Sequence, residues 1–361
     1  MREFTENEGG AMRWFRGGFP AVRFGVVMVL ACLAVVAVPA APARAGATFD
    51  RVKADGIVRC GVTRSGQGLS EIGPDGTWQG FFVDFCRAIA AAMFDDPEAI
   101  QPVEVDDVIR FRALADDAFD VLMANTTWTI GRDTAMGMTF AGTVYYDGQG
   151  FLAHRSTGAT NLTEVHQGTI CVTGGTTTIK NLNELTAGLD ARIKTRDFNS
   201  IEVVYESFFA RLCDIITYDR IALIAQLYSR ANEPDRFVLF PEVVSKEPLG
   251  PVVRQGDIEW FNLVRWVVLA TVAAEDLGIT RGNVAAMANG DNPEARRLLG
   301  TEASIGEGMG VAPDWAARII RHVGNYAEIY DRHLGRDGLK LQRGLNALWR
   351  DGGLLYAPPI R

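Results

Sequence analysis

The chain has 361 residues, 48% hydrophobic and 22% charged. That is an ordinary globular composition, which excludes a disordered chain and leaves room for two domains or lobes. The net charge is −8 and no run of like charges stands out, so nothing in the chain offers the basic footprint that a nucleic-acid partner needs.

Residues 1–45 read as a leader. Arg13, Arg16 and Arg23 form a basic region, residues 24–38 an apolar one, and Ala43-Arg44-Ala45 fits a small-residue cleavage rule, so cleavage is expected before Gly46. The apolar run is short of the roughly 20 residues that a membrane span needs. Lipid attachment at Cys32 is the weaker alternative, because it would leave a very short apolar core. Glu3, Glu6 and Glu8 are odd in such a region, and Met12 is a second candidate start. Export permits disulfides. Cys60, Cys86, Cys171 and Cys213 remain, with three possible pairings that sequence does not decide. Cys60–Cys86 with Cys171–Cys213 is preferred, since each pair then lies within one lobe; four buried thiols are the alternative.

Residues 57–62 read as a strand, and Pro74-Asp75-Gly76 as a tight turn. Residues 80–90 carry apolar side chains at helical spacing. A strand over 102–105 and a helix over 111–117 follow, then a buried strand at 121–123. Alternation of this kind predicts a parallel α/β architecture. At the carboxyl end of that strand, where open α/β sheets bind ligands, stands Asn125-Thr126-Thr127-Trp128-Thr129-Ile130-Gly131-Arg132-Asp133-Thr134. The Arg132 guanidinium is a planar fork that matches a carboxylate, and the hydroxyls satisfy what remains of an anion. This segment is read as the grip on the α-carboxylate of an amino acid, against the plainer reading of a polar loop with a surface arginine.

Residues 151–153 read as a strand leaving the first lobe, and a second α/β unit begins with a strand at 168–172. Gly174-Gly175-Thr176-Thr177-Thr178 opens a helix running towards Leu189. Its threonines cap free N–H groups, and its amino end attracts anions, so it either contacts a ligand carboxylate or is plain capping. Residues 202–204 precede a helix containing 207–212. The next strand, 213–219, ends on Asp219, which either pairs with a ligand ammonium or caps the helix starting near Ile221. Residues 237–240 are a strand and residues 248–254, stiffened by Pro248 and Pro251, the return crossing. The apolar helix over 257–277 is interrupted by Asn262, Arg265, Glu275 and Asp276, which marks a core helix and not a span. Residues 290–361 read as helical with loops, Gly306 to Gly310 as a loop, 346–349 as part of a terminal helix, and Tyr356-Ala357-Pro358-Pro359 as an extended tail.

His154, His166, His322 and His333 lack metal-ligand spacing. No Gly-x-Ser-x-Gly elbow is present. The loose dinucleotide pattern at 148–153 leads into a strand instead of opening a helix. No metal, cofactor or catalytic residue is expected, which favours a binding protein over an enzyme.

These residues resemble a known family. Asn125-Thr126-Thr127-Trp128-Thr129 with Arg132-Asp133-Thr134, Tyr145-Tyr146-Asp147-Gly148-Gln149-Gly150-Phe151, Gly175-Thr176-Thr177-Thr178 and Ser245-Lys246-Glu247-Pro248-Leu249-Gly250-Pro251 are similar to the blocks of periplasmic amino-acid-binding proteins of ABC importers, in particular the general L-amino-acid-binding group. Arg297-Leu298-Leu299-Gly300, Arg343-Gly344-Leu345-Asn346-Ala347-Leu348-Trp349 and the proline tail extend the likeness from Phe49 to Arg361. The resemblance implies a type 2 periplasmic-binding fold of two α/β lobes, two hinge strands and a cleft that closes on ligand. The expected parts are a first lobe over 46–154, a second over 155–247, and a return with a C-terminal helical extension over 248–361. It further implies that Arg132, helped by Thr129 and Thr177, holds an α-carboxylate, and that Thr127 and Asp219 hold the α-ammonium. The expected role is capture of a polar L-amino acid in the periplasm by a monomer and delivery to ABC permease subunits. A dehydratase-like enzyme on the same scaffold and a subunit sensing ligand for a chemoreceptor or kinase are the alternatives. The chain departs from the family at Gly66-Gln67-Gly68-Leu69, where relatives carry a bulkier apolar segment, at Ala124, often Arg where acidic side chains are accepted, and at Gly131, usually Ser. These changes bear on side-chain preference.

Overall fold

The computed structural model describes residues 46–187, 192–302 and 305–361. The expected leader, its cleavage site, Met12 and Cys32 lie outside the described residues, as does Leu189.

Helix α1 (Ala47–Asp55) precedes β1 (Val58–Val62), a hairpin of β2 (Glu71–Ile72) and β3 (Trp78–Gln79), and α2 (Phe81–Phe94). Then come β4 (Ile100–Glu104), α3 (Arg110–Ala115), β5 (Val121–Leu122), α4 (Ile130–Ala135) and β6 (Met138–Phe140). Two short strands, β7 (Tyr145–Asp147) and β8 (Gln149–His154), lead to β9 (Gly168–Thr173), α5 (Thr177–Thr186), β10 (Ile193–Phe198) and α6 (Ile201–Phe209). Next are β11 (Ile215–Asp219), α7 (Arg220–Arg230), β12 (Phe237–Leu239), β13 (Glu247–Leu249) and β14 (Val252–Arg254). The remainder is helical: α8 (Ile258–Asp276), α9 (Val284–Ala288), α10 (Pro293–Leu298), α11 (Trp315–His322) and α12 (Tyr326–His333).

Two five-stranded sheets organise the molecule, in the orders β4-β1-β5-β14-β6 and β10-β9-β11-β8-β12. In each, the strands that alternate with helices are parallel, and the strands that connect the two units run antiparallel. The expected α/β architecture of two lobes is what forms. Strands β7 and β13 form a two-stranded sheet of their own, Asp147 opposite Glu247 and Tyr145 opposite Leu249, with one further bridge from Leu249 to Thr127, and they are the crossings between the five-stranded sheets. The boundary expected at residue 154 therefore falls one strand late. Strand β8 lies between β11 and β12 in the second sheet, so the chain has left the first sheet before Gln149. All six β8 residues are buried, and such a run signals a core strand without saying which core.

Helix α2 is cored by Phe81, Phe82, Phe85 and Ile89, all fully buried. Helix α8 buries Trp260, Leu263, Val264 and Val267, and no helix among the described residues is long and apolar enough to cross a membrane. Asp257 fixes the start of α8. Its carboxylate accepts from the Trp260 N–H at 2.9 Å and from Thr48 N–H at 2.6 Å, a cap that also anchors α1. Both preferred disulfides form: Cys60–Cys86 ties β1 to α2, and Cys171–Cys213 ties β9 to the turn before β11.

Three local expectations change. The helix placed at 207–212 is α6, and it already includes Glu202-Val203-Val204, whose β-branched pair imitates a strand. Gly306 to Gly310 falls mostly in a 3-10 turn, Ile305–Met309, and no helix covers 346–349: Asn346 ends one 3-10 turn, Gly344–Asn346, and Trp349 begins another, Trp349–Asp351.

The last turns nonetheless hold the crossing. Asn346 accepts from the Tyr146 N–H through Oδ1 at 2.6 Å and donates through Nδ2 to the Tyr146 carbonyl at 3.1 Å. It thereby acts as an extra strand residue on the free edge of β7. Tyr326 donates its hydroxyl to the Val144 carbonyl at 2.7 Å, and Arg343 stacks over the rings of Tyr326 and Tyr330.

Candidate functional site

Strand β5 stops at Leu122, and the next residues run buried from Met123 to Thr127 between the two sheets. Thr129 then caps α4: its hydroxyl accepts from the Arg132 N–H at 3.3 Å. The cap sets Arg132 on the first turn of a short helix with its side chain turned back to the cleft. Arg132 is 8% exposed, and its guanidinium donates to the Thr127 carbonyl at 2.7 Å and stands 4.9 Å from the Phe111 ring centroid. No carboxylate lies within ion-pair distance of it among the described residues. Burial is the main reason its pKa falls to about 10; nearby Arg110 adds to the fall, while Asp219 and Glu247 oppose it.

Arg132 opens on a cavity of about 390 Å³, lined also by Phe111 and Thr129 from the first lobe and by Gly175, Thr176 and Thr177 from the second. Capping at α5 falls to Thr176, whose hydroxyl accepts from the Ile179 N–H at 3.4 Å. Thr177, the first residue of that helix, is half-buried on the cavity wall with no side-chain hydrogen bond to another described residue. Of the five residues singled out from the sequence, Arg132, Thr129 and Thr177 thus share one cavity.

Asp219 ends β11 and stands at the first position before α7, yet its side chain makes no cap bond there. It accepts instead from the Asn125 side-chain amide at 2.6 Å, across the cleft. Its pKa lies well above the ordinary carboxylate range. Burial is the first cause, followed by the charges of Glu247 and Asp147; the Asn125 hydrogen bond works the other way. Thr127 donates its hydroxyl to Glu247. With that proton committed, the Thr127 oxygen presents only lone pairs, the chemistry an ammonium requires.

Glu247 was not singled out from the sequence. It is 1% exposed, accepts also from the Ser245 hydroxyl at 2.8 Å, and sits opposite Asp147 in the crossing strands. Burial raises the Asp147 carboxyl to about 7, against backbone hydrogen bonds from Ile221 and Gly148 that lower it. Both acids lie within blocks that carried the family likeness, which was the available signal. The site therefore has a positive end at Arg132 and an acidic end formed by Asp219, Glu247 and Asp147. It can hold a small zwitterion lengthwise.

The Gly66-Gln67-Gly68-Leu69 loop is built differently from a side-chain pocket wall. Leu69 is fully buried in the core, Gly66 and Gly68 take φ of 105° and 78°, and the Gln67 N–H donates to the Ser229 hydroxyl of α7 at 2.9 Å. Positive φ explains the two glycines. The loop touches the second lobe through backbone.

The sequence pattern of the bacterial extracellular solute-binding proteins, family 3, matches residues 58–287. The chain is 44% identical over 331 residues to the general L-amino acid-binding periplasmic protein AapJ of Rhizobium johnstonii, covering 91% of this chain and 96% of that protein. It is 41% identical over 323 residues to the glutamate/glutamine/aspartate/asparagine-binding protein BztA of Rhodobacter capsulatus, covering 89% and 95%. Among solved structures, an ABC transporter/periplasmic binding protein from Brucella ovis with glutathione bound superposes with a TM-score of 0.84 at 42% identity, covering 87% of this chain and 99% of that one.

Proposed function

The chain belongs to the bacterial extracellular solute-binding proteins, family 3, and from that premise we propose that its cleft captures an L-amino acid in the periplasm and presents it to an ABC permease. The observation that carries this reading is the buried Arg132 guanidinium, without a carboxylate partner among the described residues, facing a cavity that both lobes line. Arg132 takes the α-carboxylate as a charge-assisted pair, with Thr129 and Thr177 donating from either side. Asp219 and the Thr127 oxygen take the α-ammonium, with Glu247 behind Thr127. Because Arg132, Thr127 and Thr129 stand on one lobe and Thr177 and Asp219 on the other, ligand stabilises the closed arrangement by contacts that the open one lacks.

The ligands named for the relatives differ in their side chains, yet all carry an α-amino acid head, glutathione at its γ-glutamyl end. That common head is what the Arg132–Asp219 axis recognises. The protein acts as a monomer without nucleic acid or cofactor, reaches the periplasm after removal of residues 1–45, and divides into lobes at β7 and β13. A thermal-shift screen of the common L-amino acids and glutathione, followed by calorimetry on the hits, tests this. Saturable binding with the ligand recovered intact by NMR is expected; turnover to a new product, or no binding by any α-amino acid, refutes it. Loss of uptake on deleting the gene separates transport from sensing.

A further inference from the structure

Asn125 is 2% exposed and uses every hydrogen-bonding position of its side chain. Its Oδ1 accepts from the hydroxyls of Ser65 at 2.8 Å and Thr63 at 3.1 Å, both just past β1 in the first lobe. Its Nδ2 donates to the Asp219 carboxylate at 2.6 Å and to the Tyr218 hydroxyl oxygen at 3.1 Å, both on β11 in the second. The partners fix which way the amide faces, since hydroxyls on one side supply protons and a carboxylate on the other accepts them. The Tyr218 hydroxyl in turn donates to Asp107, which also pairs with the buried Arg110 at 2.9 Å, and Arg110 reaches back to the Asn125 carbonyl at 3.3 Å.

We propose that Asn125 is a positioning residue for the ammonium end of the site: its amide, anchored on the first lobe, orients the Asp219 carboxyl group across the cleft and favours its charged form. This rests on the reading that Asp219 receives the ammonium. The physical need is clear from the surroundings. Glu247 on β13, Asp147 on β7 and Asp107 ahead of α3 repel a charge on Asp219, while Arg110 on α3 and Arg132 on α4 attract it. Tyr205 on α6 and Tyr218 are neutral neighbours, both held protonated by burial. Asn125 supplies the one direct side-chain hydrogen bond to Asp219 among the described residues, and hydrogen bonding to the charged form of a carboxyl favours that form. The same amide also joins the lobes, its Oδ1 partners standing on the first and its Nδ2 partners on the second.

The test is a carboxyl NMR titration of the ligand-free protein labelled at aspartate Cγ, with the Asp219 resonance assigned by its absence in Asp219→Asn. Asn125→Ala is expected to move the Asp219 midpoint upward by about one pH unit, and Asn125→Asp, which sets a second carboxylate in its place, to move it further. In the unmutated protein the Asn125 side-chain amide resonances should titrate with the midpoint of Asp219, a readout that needs no variant. An Asp219 midpoint unchanged in a folded Asn125→Ala protein, or an Asn125 amide indifferent to pH, overturns the proposal. A separate outcome, Asp219→Asn binding amino acids as tightly as the unmutated protein, would sink the ammonium assignment and leave the Asn125 result standing.

Discussion

Replacing Arg132 with alanine separates recognition from folding. Arg132 is 8% exposed and its guanidinium makes one hydrogen bond, 2.7 Å to the Thr127 carbonyl, among the described residues. Removing one partner of a buried charge pair costs about 3–5 kcal/mol, because the other charge is left without its counterpart. An α-carboxylate in the variant would keep only hydroxyl donors such as Thr129 and Thr177, so affinity should fall about 10²- to 10³-fold or more. Folding should respond far less. The lost bond to Thr127 costs on the order of 1 kcal/mol, and relief of a burial-disfavoured charge offsets part of it. Calorimetric titration with the best ligand from the screen gives the first quantity and urea unfolding the second. Affinity retained within about threefold, with the fold intact, would refute the assignment of Arg132 to the carboxylate.

Glu247→Gln should lower affinity about tenfold by calorimetry, since the amide returns a weaker acceptor to Thr127 and removes one charge from the acidic end. Asp147 has its folded pKa raised to about 7 from an unfolded value near 4, so the stability it contributes is full at acid pH and is lost as pH rises from 4 through 7. Asp147→Asn should therefore match the parent in urea unfolding at pH 4 and exceed it at pH 8. Asn346→Ala removes both hydrogen bonds to Tyr146 and should cost about 1–3 kcal/mol of unfolding free energy. Replacing Cys171 and Cys213 with serine opens a link between positions 42 residues apart and should cost about 2–5 kcal/mol by the same measure.

The parts of this molecule legible in the sequence are those encoded locally. The polar stretch that carries Thr129 and Arg132 is short and contiguous, and so is the strand that delivers Asp219 to its end. What the sequence leaves open depends on partners brought from far away. Asp219 stands where a helix cap would stand, and only the fold shows its side chain turned to Asn125, 94 residues earlier. Glu247 meets Thr127 across 120 residues, with no periodicity linking them. Strand β8 is buried throughout, so its pattern cannot choose between sheets. Asn346 looks like part of a terminal helix because alanine and leucine neighbours favour one; it is spent on the edge of β7 instead.

The pairing of β7 with β13 has an engineering consequence. Asp147 and Glu247 are direct neighbours, so the stretch of chain between them starts and finishes at one spot. Such a stretch can be exchanged as a cassette between homologues, joined at the same two sites, without rerouting the rest of the polypeptide. Chimeras of this kind would set one protein's Arg132 wall against another's Asp219 wall, and would show which half of the crevice selects the side chain.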